Sequence, residues 1–181
     1  MKSKRYEMRF AGAGGQGVIL CSIIMAQAAF LAGKRVAQSQ SYGPEARGSL
    51  CQAELIIDEG RIVYPKVTSA NFLLALTQES LDRYGTGTAG DALIVIDRSL
   101  SEPENPGSSD VVALPILQTA SEVVGNPLTA NIVAAGAINA LLGIAPDGMM
   151  EQAVRMHIPW GTEQVNLLAL GEGRKIGMAA R

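Results

Sequence analysis

Short apolar runs suited to strands take turns along this chain with longer stretches of helical periodicity. Tyr6 to Ala11 reads as a buried first strand, and Gln16 to Ala32 as an apolar helix closed by Gly33. Arg35 to Ser39 is a short second strand, and Ser41 to Ser49 a polar loop containing Gly and Pro. Leu50 to Ile57 alternates, with Ala53, Leu55 and Ile57 on one face. Asp58-Glu59-Gly60 is a hairpin-turn signal, so Ile62 to Tyr64 is expected to return as a fourth strand before Pro65. Ala70 to Ala75 and Glu79 to Tyr84 read as helical segments.

In the second half, Ala92 to Asp97 is a buried strand and Ser99 to Ser109 an exposed loop. Val111 to Leu114 is another strand, stopped by Pro115. Helices follow over Leu117 to Val124, Pro127 to Leu142 and Pro146 to Met156, the last begun by Pro146 and Asp147. A closing helix opens at Gly161-Thr162, with Val165, Leu167, Leu168 and Leu170 apolar; Gly171 and Gly173 are expected to weaken its middle. The alternation predicts an α/β fold: a doubly wound, mostly parallel Rossmann-like sheet with helices on both faces and one antiparallel hairpin. No linker divides the chain, so residues 1–181 are read as one domain, and 181 residues suffice for a sizeable core.

Composition narrows the function. Hydrophobic residues make up 48% and aromatics only 4%, so the core is mainly aliphatic. The net charge of −2 argues against nucleic-acid binding. The basic start, Met1 to Arg5, is followed by no apolar signal region, and the longest apolar run, Ile132 to Ile144, is too short to span a bilayer. Two cysteines, Cys21 and Cys51, make neither a disulfide framework nor, alone, a zinc or iron–sulfur site. A cytoplasmic location without membrane contact is therefore expected.

The first candidate chemistry lies where the first strand meets the first helix. Gly12, Gly14 and Gly17 fit G-x-G-x-x-G at a strand-to-helix turn, with Ala13, Gly15 and Gln16 between them. Glycine admits close approach to the backbone, and the helix start that follows welcomes an anion. Equally, the glycines allow a tight turn and close helix–strand packing with no ligand at all. A stand-alone NAD-type oxidoreductase would further need an acid at the end of the second strand to hold a ribose. That strand ends Gln38-Ser39-Gln40, and no Asp or Glu occurs between Glu7 and Glu45. Arg35, whose charge would suit a 2′-phosphate, sits at the strand's start, the wrong end.

The second candidate is Ser41-Tyr42-Gly43-Pro44-Glu45-Ala46-Arg47-Gly48. Following the second strand, it is expected at the carboxyl edge of the sheet beside the glycine turn, where open α/β sheets bind ligands. Arg47 offers a planar fork for phosphate or carboxylate, with Glu45 to hold it; a solvated loop with an ion pair is the plainer reading.

Together, Gly12-Ala13-Gly14-Gly15-Gln16-Gly17 and Ser41 to Gly48, then a strand, a short turn and Pro65, resemble the gamma subunit (or gamma domain) of 2-oxoacid:ferredoxin oxidoreductases. The resemblance runs through almost the whole chain, including Asn131 to Gly136 and the closing helix with Asn166. Ser49 departs from it, since the family usually has a second glycine after Arg-Gly. The resemblance implies an enzyme that decarboxylates a 2-oxoacid, 2-oxoglutarate or pyruvate, on thiamine diphosphate with Mg. Electrons leave through iron–sulfur clusters to ferredoxin, and the acyl group passes to coenzyme A. It also implies that thiamine and clusters belong to other chains: alpha and beta (thiamine-binding) subunits and a ferredoxin-like delta subunit or domain. This chain, inactive by itself, is then expected to serve the coenzyme A side and assembly, with Gly12, Gly14, Gly15, Gln16, Gly17, Ser41, Tyr42, Gly43, Pro44, Glu45, Arg47 and Gly48 facing coenzyme A or a partner. Asn131 is a further candidate. A self-dimer of the isolated chain stays open.

Other residues carry less. His157, the only histidine, reads as a packed or surface side chain more readily than as a base. No G-x-S-x-G elbow occurs. Cys21 reads as core, and Asp97 as a residue that orients a loop or caps an element.

Overall fold

The computed structural model describes residues 5–42, 50–103 and 106–181. Its centre is a six-stranded sheet in the order β2-β3-β1-β4-β5-β6. The strands are β1 (Tyr6–Ala13), β2 (Arg35–Tyr42), β3 (Leu50–Asp58), β4 (Ala70–Ala75), β5 (Thr88–Asp97) and β6 (Asp110–Leu114). The pairs β1–β4, β4–β5 and β5–β6 are parallel, and β3 runs against both β1 and β2.

The two faces are covered unequally. One carries α1 (Val18–Leu31) and, beyond a short helix α3 (Ile116–Gln118), α4 (Ala130–Leu142), α5 (Asp147–His157) and α6 (Glu163–Ala179). Met8, Phe10, Leu55, Phe72, Leu74 and Val95 point into this larger core, where α1 and α4 supply Ile24, Met25, Ile132 and Ile138. The alternate residues Ala11, Leu73, Ala75, Ile94 and Ile96 face the other side and meet Leu81 and Tyr84 of α2 (Gln78–Tyr84). Helix α2 starts at Thr77, whose side chain accepts the Ser80 N–H while the Ser80 hydroxyl accepts the Thr77 N–H.

Two expectations fail here. Ala70 to Ala75 is not helical; it is the central strand β4. A six-residue run that is apolar on both faces has no period to separate helix from strand, and β4 is buried on both faces between β1 and β5. The one polar residue in it, Asn71, ties its start to β1: Asn71 Oδ1 accepts the Glu7 N–H at 3.0 Å and Nδ2 donates to Arg5 O at 3.0 Å. Ile62 to Tyr64 is not a strand, because β3 already pairs with β2 on one side and β1 on the other. The Asp58 carboxylate accepts the Gly60 N–H at 2.8 Å and turns the chain away. Ile62 packs on Ile56, Val67 and Ala70, while Val63 and Tyr64 are 83% and 56% exposed. The antiparallel hairpin is therefore β2–β3, and β2 extends to Tyr42 by pairing with β3 along its whole length.

Helices α4 and α6 run side by side at closer than ordinary side-chain distance. A Cβ on Gly173 would strike the Val133 carbonyl, one on Gly136 the Leu170 carbonyl, and one on Gly177 would lie 2.5 Å from Ala137 O. Gly173 thus lets two backbones touch instead of weakening the helix it sits in.

Candidate functional site: the glycine turn at the sheet edge

The first helix leaves β1 on one face of the sheet, and α2 leaves β4 on the other. The crevice beyond the carboxyl ends of β1 and β4 is therefore a topological switch point, where such sheets hold ligands. The glycine turn occupies it. Gln16 holds the turn in shape: its N–H donates to Ala13 O at 3.1 Å, and its side-chain Oε1 accepts the Ala13 N–H at 2.8 Å. Its Nε2 donates across the crevice to Leu76 O at 3.2 Å, just past the end of β4. Gly12 makes room for this, since a Cβ there would come within 2.6 Å of Gln16 Oε1 and 2.9 Å of Val18 Cγ1.

Gly17 caps α1 with φ +71°, in the left-handed region that glycine reaches without penalty. A Cβ on it would lie 2.5 Å from Asn131 Nδ2. Gly15 also has positive φ, +97°, but nothing stands within 4 Å of where its Cβ would be. Gly14 and Gly15 are exposed. Among the described residues no side chain caps α1, its first turn carries no acid, and its first backbone bond runs from Cys21 N–H to Gly17 O at 2.9 Å. The preceding N–H groups of the helix start therefore remain for an anion.

The register brings the second candidate's flanks to the same edge. Ala13 lies opposite Leu50, Gly12 opposite Cys51, Cys51 opposite Tyr42, and Gln52 opposite Ser41. Strand β2 thus ends at Tyr42, two strands from the glycine turn, and β3 begins at Leu50, directly beside β1. Gly43, Pro44, Glu45, Arg47 and Gly48 lie outside the described residues. Gly12, Gly14, Gly15, Gln16, Gly17, the backbone of Tyr42 and Asn131 are gathered at this edge, with Ser41 exposed on it.

One polar group was not anticipated. Ser39, Ser41, Gln52, Glu54 and Lys66 line a cavity of about 240 Å³. Glu54 accepts from Arg9 Nη2 at 2.8 Å, the Arg9 guanidinium lies 5.2 Å from the Tyr84 ring centroid, and Gln52 Oε1 is buried without a hydrogen-bond partner among the described residues. The signal was available: Ser39 pairs with Glu54 and Ser41 with Gln52, a polar row that alternation in both strands predicts.

Other candidates are placed elsewhere. His157 shares a recess with Ile23, Ala26, Gln27, Phe30, Val36 and Gln38, where no acid or nucleophile accompanies it. Asp97 is an internal cap: Oδ1 accepts the Ser99 N–H and hydroxyl at 2.9 and 2.6 Å, and Oδ2 accepts the Leu117 N–H at 2.8 Å. Burial pushes the Cys21 thiol far above its ordinary range, so it stays protonated in the core. Among the described residues, no three His, Cys, Asp or Glu side chains converge as a metal site, and no helix is long and apolar enough to cross a membrane.

The strand order also removes the nicotinamide reading's geometry. Antiparallel β3 separates β1 from β2, and β2 ends in Ser41-Tyr42, so no carboxylate from that strand reaches the glycine turn. The family model described as pyruvate ferredoxin/flavodoxin oxidoreductase matches residues 7–176.

The chain belongs to that family.

It is 37% identical over 175 residues to the 2-oxoglutarate synthase subunit KorC of Methanocaldococcus jannaschii, covering 95% of this chain and 94% of the relative. The crystal structure of a keto/oxoacid ferredoxin oxidoreductase gamma subunit from Geobacter sulfurreducens superposes with a TM-score of 0.87 at 40% identity, covering 98% of both chains. The same fold recurs at 21% identity and a TM-score of 0.89 within the 2-oxoglutarate:ferredoxin oxidoreductase of Magnetococcus marinus, whose structure holds 2-oxoglutarate, coenzyme A and succinyl-CoA. There it covers 98% of this chain but 32% of the longer one. The chain is a gamma-type subunit of the 2-oxoacid:ferredoxin oxidoreductases.

Proposed function

We propose that this gamma-type chain, one domain over residues 1–181, serves a 2-oxoglutarate:ferredoxin oxidoreductase and supplies part of its coenzyme A side. The observation that carries this reading is the glycine turn at the switch point, with a helix start open to anions, in a chain whose end-to-end relatives are 2-oxoglutarate synthase subunits. The turn and the Ser41 to Gly48 segment would form one edge site facing coenzyme A or a partner subunit. Alpha and beta subunits would hold thiamine diphosphate and Mg, a ferredoxin-like delta subunit the iron–sulfur clusters, and ferredoxin would take the electrons. The assembly would work in the cytoplasm.

The test is Arg47→Ala in the reconstituted complex. Loss of a hydrogen bond to a charged group is worth about 1.5–3 kcal/mol, which lowers kcat/KM for coenzyme A by roughly one to two orders of magnitude. Unchanged KM and kcat would remove the ligand role of this segment. In the same complex, 2-oxoglutarate is expected to be turned over in preference to pyruvate; the reverse would overturn the substrate assignment.

A further inference from the structure

We propose that the polar cavity over the β2–β3 pair is a ligand site separate from the glycine turn, shaped for a small carboxylate that also carries an amino or hydroxyl donor. Ala53, Leu55 and Ile57 of β3 point into the core under α1. The alternate residues Gln52 and Glu54 therefore point to the opposite face, away from the helix that the glycine turn starts. In register beside them on β2 stand Ser41 and Ser39, and Lys66 completes the wall of a cavity of about 240 Å³. That volume is below the roughly 300–1,000 Å³ of drug-sized sites and far above the roughly 30 Å³ share of one water, so it suits a metabolite of a few carbons.

A solvated sheet face would also be polar, but it would leave its polar atoms open to water. Gln52 Oε1 is shut off from solvent and has no hydrogen-bond partner among the described residues. An acceptor buried in that state costs free energy until a donor reaches it. A second acceptor adjoins it. Arg9 Nε and Nη2 both donate to Glu54 Oε1, at 3.3 and 2.8 Å, which leaves Glu54 Oε2 without a bond among the described residues. The Tyr84 ring, 5.2 Å from the Arg9 guanidinium, holds that guanidinium in place. Arg9 also cancels the charge of Glu54, so the positive charge of Lys66, which has no ion pair among the described residues, is left uncompensated. One negative group answers Lys66, one donor answers Gln52 and Glu54, and the Ser39 and Ser41 hydroxyls serve either. An amino acid or a hydroxy acid carries that pair of groups; a plain acid or a 2-oxo acid lacks the donor.

The test is an NMR titration of the nitrogen-labelled full chain with a matched series of acids: 2-aminobutyrate, 2-hydroxybutyrate, 2-oxobutyrate and butyrate. Backbone amides and the Gln52 side-chain N–H₂ report the site. The amino and hydroxy acids are expected to saturate it in the millimolar range, and whichever binds tighter names the donor as ammonium or hydroxyl. The 2-oxo acid and butyrate are expected to bind about tenfold more weakly, the scale of one donated hydrogen bond. Gln52→Leu should abolish that preference, and Lys66→Met should weaken the whole series by about threefold to fivefold, the scale of one exposed charge pair. Should Gln52→Leu fail to fold, Lys66→Met and the acid series decide, since Lys66 is exposed. Saturation by none of the acids would leave a cavity for water alone and overturn the proposal. Equal binding across the series, shifts confined to the glycine turn, or unchanged affinities in Lys66→Met would overturn it as well.

Discussion

Gly15 and Gly173 are the same residue put to opposite uses. Gly15 sits in an exposed turn with φ +97° and empty space where a Cβ would point. Gly173 sits inside a regular helix with a neighbouring backbone carbonyl where its Cβ would point. One is needed for backbone conformation and access, the other for the absence of volume. The contrast divides the molecule into a closed end, where α4 and α6 are locked together, and an open sheet edge, where the chain presents backbone groups outward.

Substitutions that confuse the two uses break the comparison most severely. Gly173→Val drives three carbons into the Val133 backbone. It is expected to destabilise by about 3 kcal/mol or more, at the upper end of overpacking effects, and to yield little folded protein by thermal melting. A normal melt would show that α4 and α6 are not in backbone contact. Next comes Gln16→Ala, which removes the clamp on Ala13 N–H and Leu76 O. A cost of roughly 1–2 kcal/mol in chemical denaturation is expected, with the turn loosened. The smallest folding effect, and the one of opposite sign, is Gly171→Ala. Only two residues from Gly173, it has nothing within 4 Å of a new Cβ. Alanine should stabilise α6 by roughly 0.5–1 kcal/mol. Destabilisation would mean that the helix packs more tightly there than the structure shows.

A pH dependence belongs to neither region but to the start of β1. Burial alone would raise the Glu7 carboxyl, but the Thr68 N–H, the Arg5 guanidinium and the Ser69 N–H outweigh it and hold Glu7 below its ordinary value of 4.5. A group depressed in the folded state adds stability that is complete above its unfolded value and fades as pH falls through the folded one. Stability should therefore decline below about pH 4.5. Glu7→Gln should be less stable at neutral pH and should flatten that decline in denaturation measured from pH 3 to 6 (approximately the carboxylate range). An unchanged slope would assign the acid sensitivity to other carboxylates.

What was legible in the chain follows the range of the interactions. β1, α1, β3 and the buried half of β5 carry local periodicity, and the turn from Gly12 to Gly17 lies between a strand and a helix contiguous with it. β4 was misread because its neighbours on both sides bury both of its faces, which erases the period. The returning strand at Ile62 failed because β1 had already taken the edge of β3, a fact no local pattern contains. Gly173 looked like a helix defect because the Val133 carbonyl it accommodates is distant in sequence. The site shows the same limit. Its glycines could be read locally, while the contact of Asn131 with Gly17 depends on how α4 lies against α1.

The central claim is that the open edge faces coenzyme A. The direct measurement is the KM for coenzyme A of the reconstituted complex carrying Gly15→Asp, with Gly171→Ala as the glycine control. A carboxylate beside the free helix start should raise that KM at least about tenfold while the KM for the 2-oxoacid stays within error, and the control should match wild type. A Gly15→Asp complex that assembles and shows the wild-type KM for coenzyme A would contradict the account.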